Sequence, residues 1–169
     1  MISPADVPLL FGWYCDFEST FIWHLDRRVR SYRKFADMVL DLVTGSELSL
    51  IEDNENQPVG CTLLYASRPS DGWSHLALYL PLTRRDFEIV EEAAKVAIAR
   101  AFHLHASLRK IYMETYDFMP FPAMAFEKIG FIQEAVTPEH FWFYDRFWAR
   151  RRLALYRARW EADGSAGER

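Results

Sequence analysis

Two neighbouring stretches decide the fold: Ile111-Tyr112-Met113-Glu114-Thr115-Tyr116, and then Ala123-Met124-Ala125-Phe126-Glu127-Lys128-Ile129-Gly130-Phe131. The first belongs to a strand over Lys110–Tyr116, the second is a short helix over Ala123–Ile129 with a new strand opening at Phe131. Upstream, Asp86–Ser107 reads as the longest helix. It carries Ile89, Ala93, Val96, Ala97 and Ala101 on one face, with Glu88, Glu91, Glu92 and Lys95 elsewhere. Before it come three strands, Glu47–Glu52, Pro58–Ala66 and Trp73–Leu80, an antiparallel meander punctuated by Asp53–Gln57 and Arg68–Gly72. Asp6–Asp16 and Ser31–Val43 read as two leading helices, the second with a Ser31 cap and Tyr32, Phe35, Met38, Val39 and Leu42 at helical spacing. Strands near Phe131–Thr137 and Phe147–Tyr156 close the chain. The order is α-α-β-β-β-α-β-α-β-β, one domain over residues 1–162, with a frayed tail over 163–169 rich in Gly, Ser and charge.

The 169 residues are enough for one ordinary domain, and six Trp, eight Tyr and thirteen Phe supply a real core. A net charge of −4 excludes binding a nucleic-acid backbone with the whole surface, so no DNA partner is expected. Cys15 and Cys61 are too few for a disulfide framework or a zinc cluster, which suits a reduced, cytoplasmic chain. The segment Met1–Cys15 has no Lys or Arg and no apolar run reaches membrane-spanning length, so neither a signal peptide nor a membrane partner is expected.

The stretch Ala123–Phe131 after the strand Ile111–Tyr116 resembles the tyr-glu-lys-x-gly-phe ending of the GNAT acyltransferase superfamily. The branch that acetylates ribosomal-protein N-termini and similar amines is similar without a gap from about Trp73 to Ala162, taking in Glu92-Ala93, Ala101-Phe102 and Arg159-Trp160-Glu161. The resemblance implies an α/β (α+β) fold. Its central sheet is mixed and mostly antiparallel, has helices on both faces, and contains two parallel strands that splay apart. Their unpaired main-chain groups would hold the pantetheine of an acyl thioester, acetyl-CoA or a relative, as if it were another strand. That wedge would open between Trp73–Leu80 and Lys110–Tyr116, with Leu78 and Leu80 on the donor and main-chain N–H groups of Leu76–Leu80 polarising the thioester carbonyl. The pyrophosphate would meet the helix start at Asp86, where free N–H groups favour anions.

Carried over residue by residue, the family's signature is uneven here. Its pyrophosphate loop, Gln/Arg-x-x-Gly-x-Gly/Ala, falls on Arg85–Val90 and keeps only the Arg. Glu88 and Val90 stand where glycines let backbone approach phosphate, while Arg84 and Arg85 remain to neutralise it. A carboxylate about 4 Å from a phosphate costs on the order of 4 kcal/mol at an effective dielectric near 20, although Asp86 and Glu88 equally suit the first turn of a helix. The family's Asn falls on Met119, and its proton-donating Tyr on Phe126, which has no proton to give. Its general-base Glu falls on His75, with Glu114 on the adjacent strand as second candidate; Tyr116, Tyr112 and Tyr144 are nearby donors.

No other constellation points to chemistry. His103 and His105 sit on different faces of a helix end, His24 and His140 are isolated, and no metal site is expected. There is no Gly-x-Ser-x-Gly elbow. Arg146, Arg150, Arg151, Arg152, Arg157 and Arg159 interleave with aromatic residues in a closing hairpin, where solvated arginines over a packed aromatic face or a homodimer contact are expected. The same mixture also suits RNA, a phosphopantetheinyl carrier protein or an acidic partner. Phe11, Trp13, Tyr14, Phe17, Phe21 and Trp23 form a leading aromatic cluster, expected to be core and otherwise the wall of an acceptor pocket. Two functions follow: an N-acyltransferase acting on a small-molecule or protein amine, or a non-catalytic or repurposed member that binds a ligand or partner through the same fold.

Overall fold

A computed structural model describes residues 2–15, 31–81, 87–118 and 120–166. Six strands form one mixed sheet in the order β1-β2-β3-β4-β6-β5: β1 Glu47–Glu52, β2 Pro58–Arg68, β3 Trp73–Tyr79, β4 Lys110–Tyr116, β5 Ile132–Phe143 and β6 Arg146–Tyr156. Among the described residues five α-helices accompany it: α1 Val7–Cys15, α2 Tyr32–Gly45, α3 Phe87–Leu104, α4 Pro120–Lys128 and α5 Arg157–Ala166. Every element read from the sequence is present, and α5 is an addition. Backbone contacts group the chain into two compact units, Met1–Tyr65 with Ala77–Arg85, and Ala66–Leu76 with Asp86–Arg169.

In the first unit, Ile2, Val7, Leu10, Tyr14, Phe35, Val39, Leu48, Cys61 and Tyr79 form a closed apolar cluster. Tyr14 and Phe35 are fully buried with ring centroids 4.6 Å apart, so this part of the aromatic cluster is core; Phe17, Phe21, Trp23 and His24 lie outside the described residues. β1 and β2 pair antiparallel. Their turn is built as its composition predicts: the Asp53 carboxylate accepts the N–H of Glu55 and of Gln57, both at 3.0 Å, and Asn56 takes a left-handed φ of 58°. Gly60 is required by close approach, because a Cβ there would lie 2.4 Å from the Tyr79 carbonyl oxygen.

In the second unit, Val90, Ala94, Ile98, Ala101 and Phe102 are the buried side of α3. The expected face is turned by about one residue, and Val96, placed on it, is 69% exposed. Apolar residues occur on several sides of this helix, so periodicity leaves more than one stripe open and packing selects among them. α4 starts earlier than expected because Pro120 fits a first turn that needs no N–H from it. It ends in a Schellman motif. The N–H of Phe131 bonds to Phe126 O and that of Gly130 to Glu127 O, both at 3.0 Å, with Gly130 at φ 106° and the Phe126 and Phe131 rings edge to face at 5.1 Å. The Phe-Glu-Lys-Ile-Gly-Phe stretch is therefore a complete helix stop.

The closing hairpin is longer than expected. Tyr144 and Asp145 both take positive φ, 49° and 57°, which makes a two-residue turn without the usual Gly, and Pro138 and Glu139 sit in an irregularity between Thr137 and Phe141. α5 runs through Ala166, into the stretch expected to fray. Its first residue, Arg157, donates from Nε to Leu108 O at 2.7 Å and from Nη2 to Phe102 O and His105 O at 2.8 and 2.7 Å. One guanidinium thus satisfies carbonyls at the C-terminus of α3 and in the loop after it. This explains why that helix stops at Leu104 rather than at the expected Ser107.

Candidate active site

Strand pairing sets the site. β4 is paired with β6 along its whole length, Lys110 opposite Tyr156 through Tyr116 opposite Arg150. On its other side it meets β3 in parallel at three positions, Trp73 with Lys110, Ser74 with Ile111 and His75 with Tyr112. Among the described residues that ladder goes no further, although β4 continues to Tyr116. Alternation then sorts the side chains. Ile111, Met113 and Thr115 are buried on one face, while Lys110, Tyr112, Glu114 and Tyr116 share the other with Trp73 and His75 of β3 and Arg150 and Arg152 of β6.

On this second face Glu114 is the electrostatic centre. Arg152 Nη2 donates to its Oε1 at 3.1 Å and Arg150 Nη1 to its Oε2 at 3.4 Å, all three side chains partly buried. His75 lies beside Tyr112, ring centroids 5.3 Å apart, with Trp73 edge-on to both. Lys110 Nζ sits 4.4 Å above the Tyr112 ring and ion-pairs with Glu134 at 3.2 Å, while the Arg152 guanidinium is 5.4 Å from the same ring. Burial lowers the His75 pKa, Glu114 opposes that effect, and Arg152 and Arg150 add to it. The imidazole is thereby kept in its neutral, proton-accepting form over a wider pH range than a free one. Burial, and next the Glu114 charge, raise the Tyr116 pKa, so the phenol keeps its proton. Its ring stacks on Phe118 at 5.5 Å and tilts against Phe141 at 5.3 Å.

Of the site residues expected from the sequence, His75, Glu114 and Tyr116 come together on this face. Leu78, part-buried in β3, and Leu80, buried just after it, belong to the first unit. Glu88 is exposed on the first turn of α3 and Val90 is buried two residues further on, so the backbone at these loop positions is already helical. Phe126 is fully buried against Phe131. Arg84, Arg85, Asp86 and Met119 lie outside the described residues.

Arg146 and Arg159 are exposed, as a wet row predicts, whereas Arg150, Arg151, Arg152 and Arg157 are committed to partners. Arg150 and Arg152 hold Glu114, Arg151 pairs with Asp117 at 2.5 Å and donates to Gln133, Arg146 lies 3.5 Å over the Trp148 ring, and Arg157 caps α3. The spacing of Arg150 and Arg152, two apart on a strand, was the signal that both belong to one face; their target needed the β4–β6 register. Among the described residues no group of three His, Cys, Asp or Glu is arranged to hold a metal ion, and no helix is long and apolar enough to cross a membrane.

No protein-family model matches the chain, and no curated protein sequence matches it significantly. Solved structures do match. Spermidine N-acetyltransferase from Vibrio cholerae in complex with CoA and spermine superimposes with a TM-score of 0.85 at 14% identity, covering 95% of each chain. Mutant forms of the spermidine/spermine N-acetyltransferase from the same organism give 0.82 at 12% identity, over 96% of this chain and 95% of that one. A dodecameric form of that organism's spermidine N-acetyltransferase gives 0.80 at 13% identity, over 94% and 92%. At such identities the likeness establishes a shared fold, that of the GNAT acyltransferases, as the resemblance implied.

Proposed function

We propose, for a chain that folds as GNAT acyltransferases do, that it moves an acyl group from an acyl-CoA-type thioester to a primary amine. The observation that carries the reading is the parallel β3–β4 ladder that stops at His75 and Tyr112 while β4 runs on. Among the described residues, main-chain groups along Met113–Tyr116 have no β3 partner, which suits a pantetheine arm beside His75, Glu114 and Tyr116. Solved structures of the same fold include one that holds CoA. A CoA thioester supplies an activated acyl carbonyl and a thiolate leaving group.

His75 takes the proton that the amine loses as its nitrogen bonds to the acyl carbon, directly or through water, since burial keeps the imidazole neutral. Glu114 is committed to two guanidiniums and orients the charge around His75. Tyr116, whose phenol stays protonated, gives its proton to the sulfur as the carbon–sulfur bond breaks, the role that Phe126 cannot fill. Both protons are exchanged with solvent between turnovers. The free thiols Cys15 and Cys61 suit a reducing cytosol.

A second reading, a ligand-binding protein that kept the fold without catalysis, is favoured by Glu88 and Val90, which put a carboxylate and a core side chain where the family has glycines. Calorimetry and thermal shift with millimolar acetyl-CoA separate the two. Heat and a raised Tm are expected, and their absence removes the acyltransferase reading.

A further inference from the structure

We infer that the amine acceptor is itself anionic: a primary amine carrying a carboxylate or phosphate that Arg150 and Arg152 receive. This rests on the acyltransferase reading and goes beyond it by naming the substrate class. Among the described residues, the polar face of β4 and β6 carries four cations, Lys110, Arg146, Arg150 and Arg152, against the Glu114 carboxylate and that of Glu134 on β5, with Arg146 stacked on Trp148 and His75 of β3 beside them. Lys110 is matched by Glu134 and faces the Tyr112 ring, so its charge is answered. Arg150 and Arg152 share the single carboxylate of Glu114, which leaves one positive charge over on the face that also carries His75 and Tyr116. Arg152 spends Nη2 on Glu114, and its side chain is 38% exposed, so the partly exposed guanidinium keeps donor capacity for a ligand, while its Nε, closed to solvent, has no acceptor among the described residues.

A polycationic acceptor brings a second ammonium to this surplus and is repelled, whereas an anionic group completes the arginine pair with charge-assisted bonds. The geometry therefore selects against polyamines, the acceptors named for the proteins of known structure that share the fold. Arg150 and Arg152 act as specificity residues: they bind the acceptor's anionic group and leave the transferred proton to His75.

The test measures thiol release from acetyl-CoA with L-glutamate, O-phosphoethanolamine or spermidine as acceptor, in the intact chain and in Arg150→Gln, Arg152→Gln, Arg150→Lys and Arg152→Lys. An anionic amine is expected to have a kcat/KM at least about tenfold above that of spermidine, which corresponds to ~1.4 kcal/mol. Whichever of glutamate and phosphoethanolamine is preferred assigns carboxylate or phosphate. Each Gln variant should raise KM for that amine about tenfold or more with kcat within about threefold, and each Lys variant should recover most of the loss. Equal or better use of spermidine, or Gln variants with unchanged KM, overturns the inference while the acyltransferase reading stands. If no amine is acetylated, that reading falls, and calorimetry with L-glutamate and O-phosphoethanolamine decides the rest. Heat that disappears in both Gln variants keeps the anion site, and no heat in the intact chain removes it.

Discussion

Glu114 and Arg152 stand opposite each other in the β4–β6 ladder, and the guanidinium Nη2 donates to the carboxylate Oε1 at 3.1 Å. Arg150, two residues earlier on β6, takes the other oxygen. Removing the carboxylate leaves two partly buried cations facing each other. Glu114→Gln should therefore lower stability by about 1–2 kcal/mol, less than the ~3–5 kcal/mol of a fully buried pair because solvent reaches all three groups. Thermal unfolding reads this directly. A Tm equal to that of the parent chain would mean that the three charges are solvated independently.

His75→Ala should reduce kcat for acyl transfer by about 10²–10⁴, the usual weight of a general base. The pH profile carries its own signature. Since burial lowers the folded-state pKa of His75, the acidic limb of kcat/KM should fall below the ordinary imidazole value of about 6.5. In the unfolded chain this group binds its proton at higher pH than in the folded one. Its contribution to stability is full above about pH 6.5 and is lost as the pH falls towards the lowered folded value. Urea unfolding between pH 5 and pH 8 should show that slope in the parent and a reduced slope in His75→Ala. An acidic limb at or above the ordinary value would contradict the assignment.

Gly60→Ala places a methyl group 2.4 Å from the Tyr79 carbonyl oxygen and 2.6 Å from a Leu80 methyl. Backbone cannot yield there cheaply, so a loss of about 1–3 kcal/mol is expected from overpacking. Chemical denaturation of the variant measures it, and a loss under 0.5 kcal/mol, roughly the noise of a surface change, would show that β2 moves aside.

Arg157→Ala removes three hydrogen bonds to main-chain carbonyls and strands those of Phe102 and Leu108, while His105 O keeps the N–H of Leu108. With charged donors at about 1.5–3 kcal/mol each and partial rescue by water, a net cost of about 2–4 kcal/mol follows. Hydrogen exchange should accelerate at the end of α3 and across α5 more than in β4. Uniform acceleration would argue against a local capping role.

The two thiols should separate by reactivity. Cys15 is exposed at the end of α1, whereas Cys61 is buried in β2 and its burial pushes the thiol pKa far up. A thiol reagent should label one equivalent quickly under native conditions and the second only on unfolding; rapid labelling of both would place Cys61 near solvent.

The sequence by itself determined the element order as far as Tyr156, the turn chemistry at Asp53–Gln57, the helix stop at Gly130 and the family of folds. All of these are local: periodicity, caps and turn residues act within a few positions, and Phe126 and Phe131 close their motif five residues apart. Only the tertiary structure decided which stripe of α3 is buried, where that helix ends and what the arginines of β6 hold. Val96 is apolar and yet exposed, because apolar residues on several sides leave the choice to packing. Arg157 reaches a carbonyl 55 positions away, and Arg152 finds Glu114 38 positions away. Such partners are fixed by strand register and chain crossing, and a charged side chain shows in sequence what it can bind but not what the fold sets beside it.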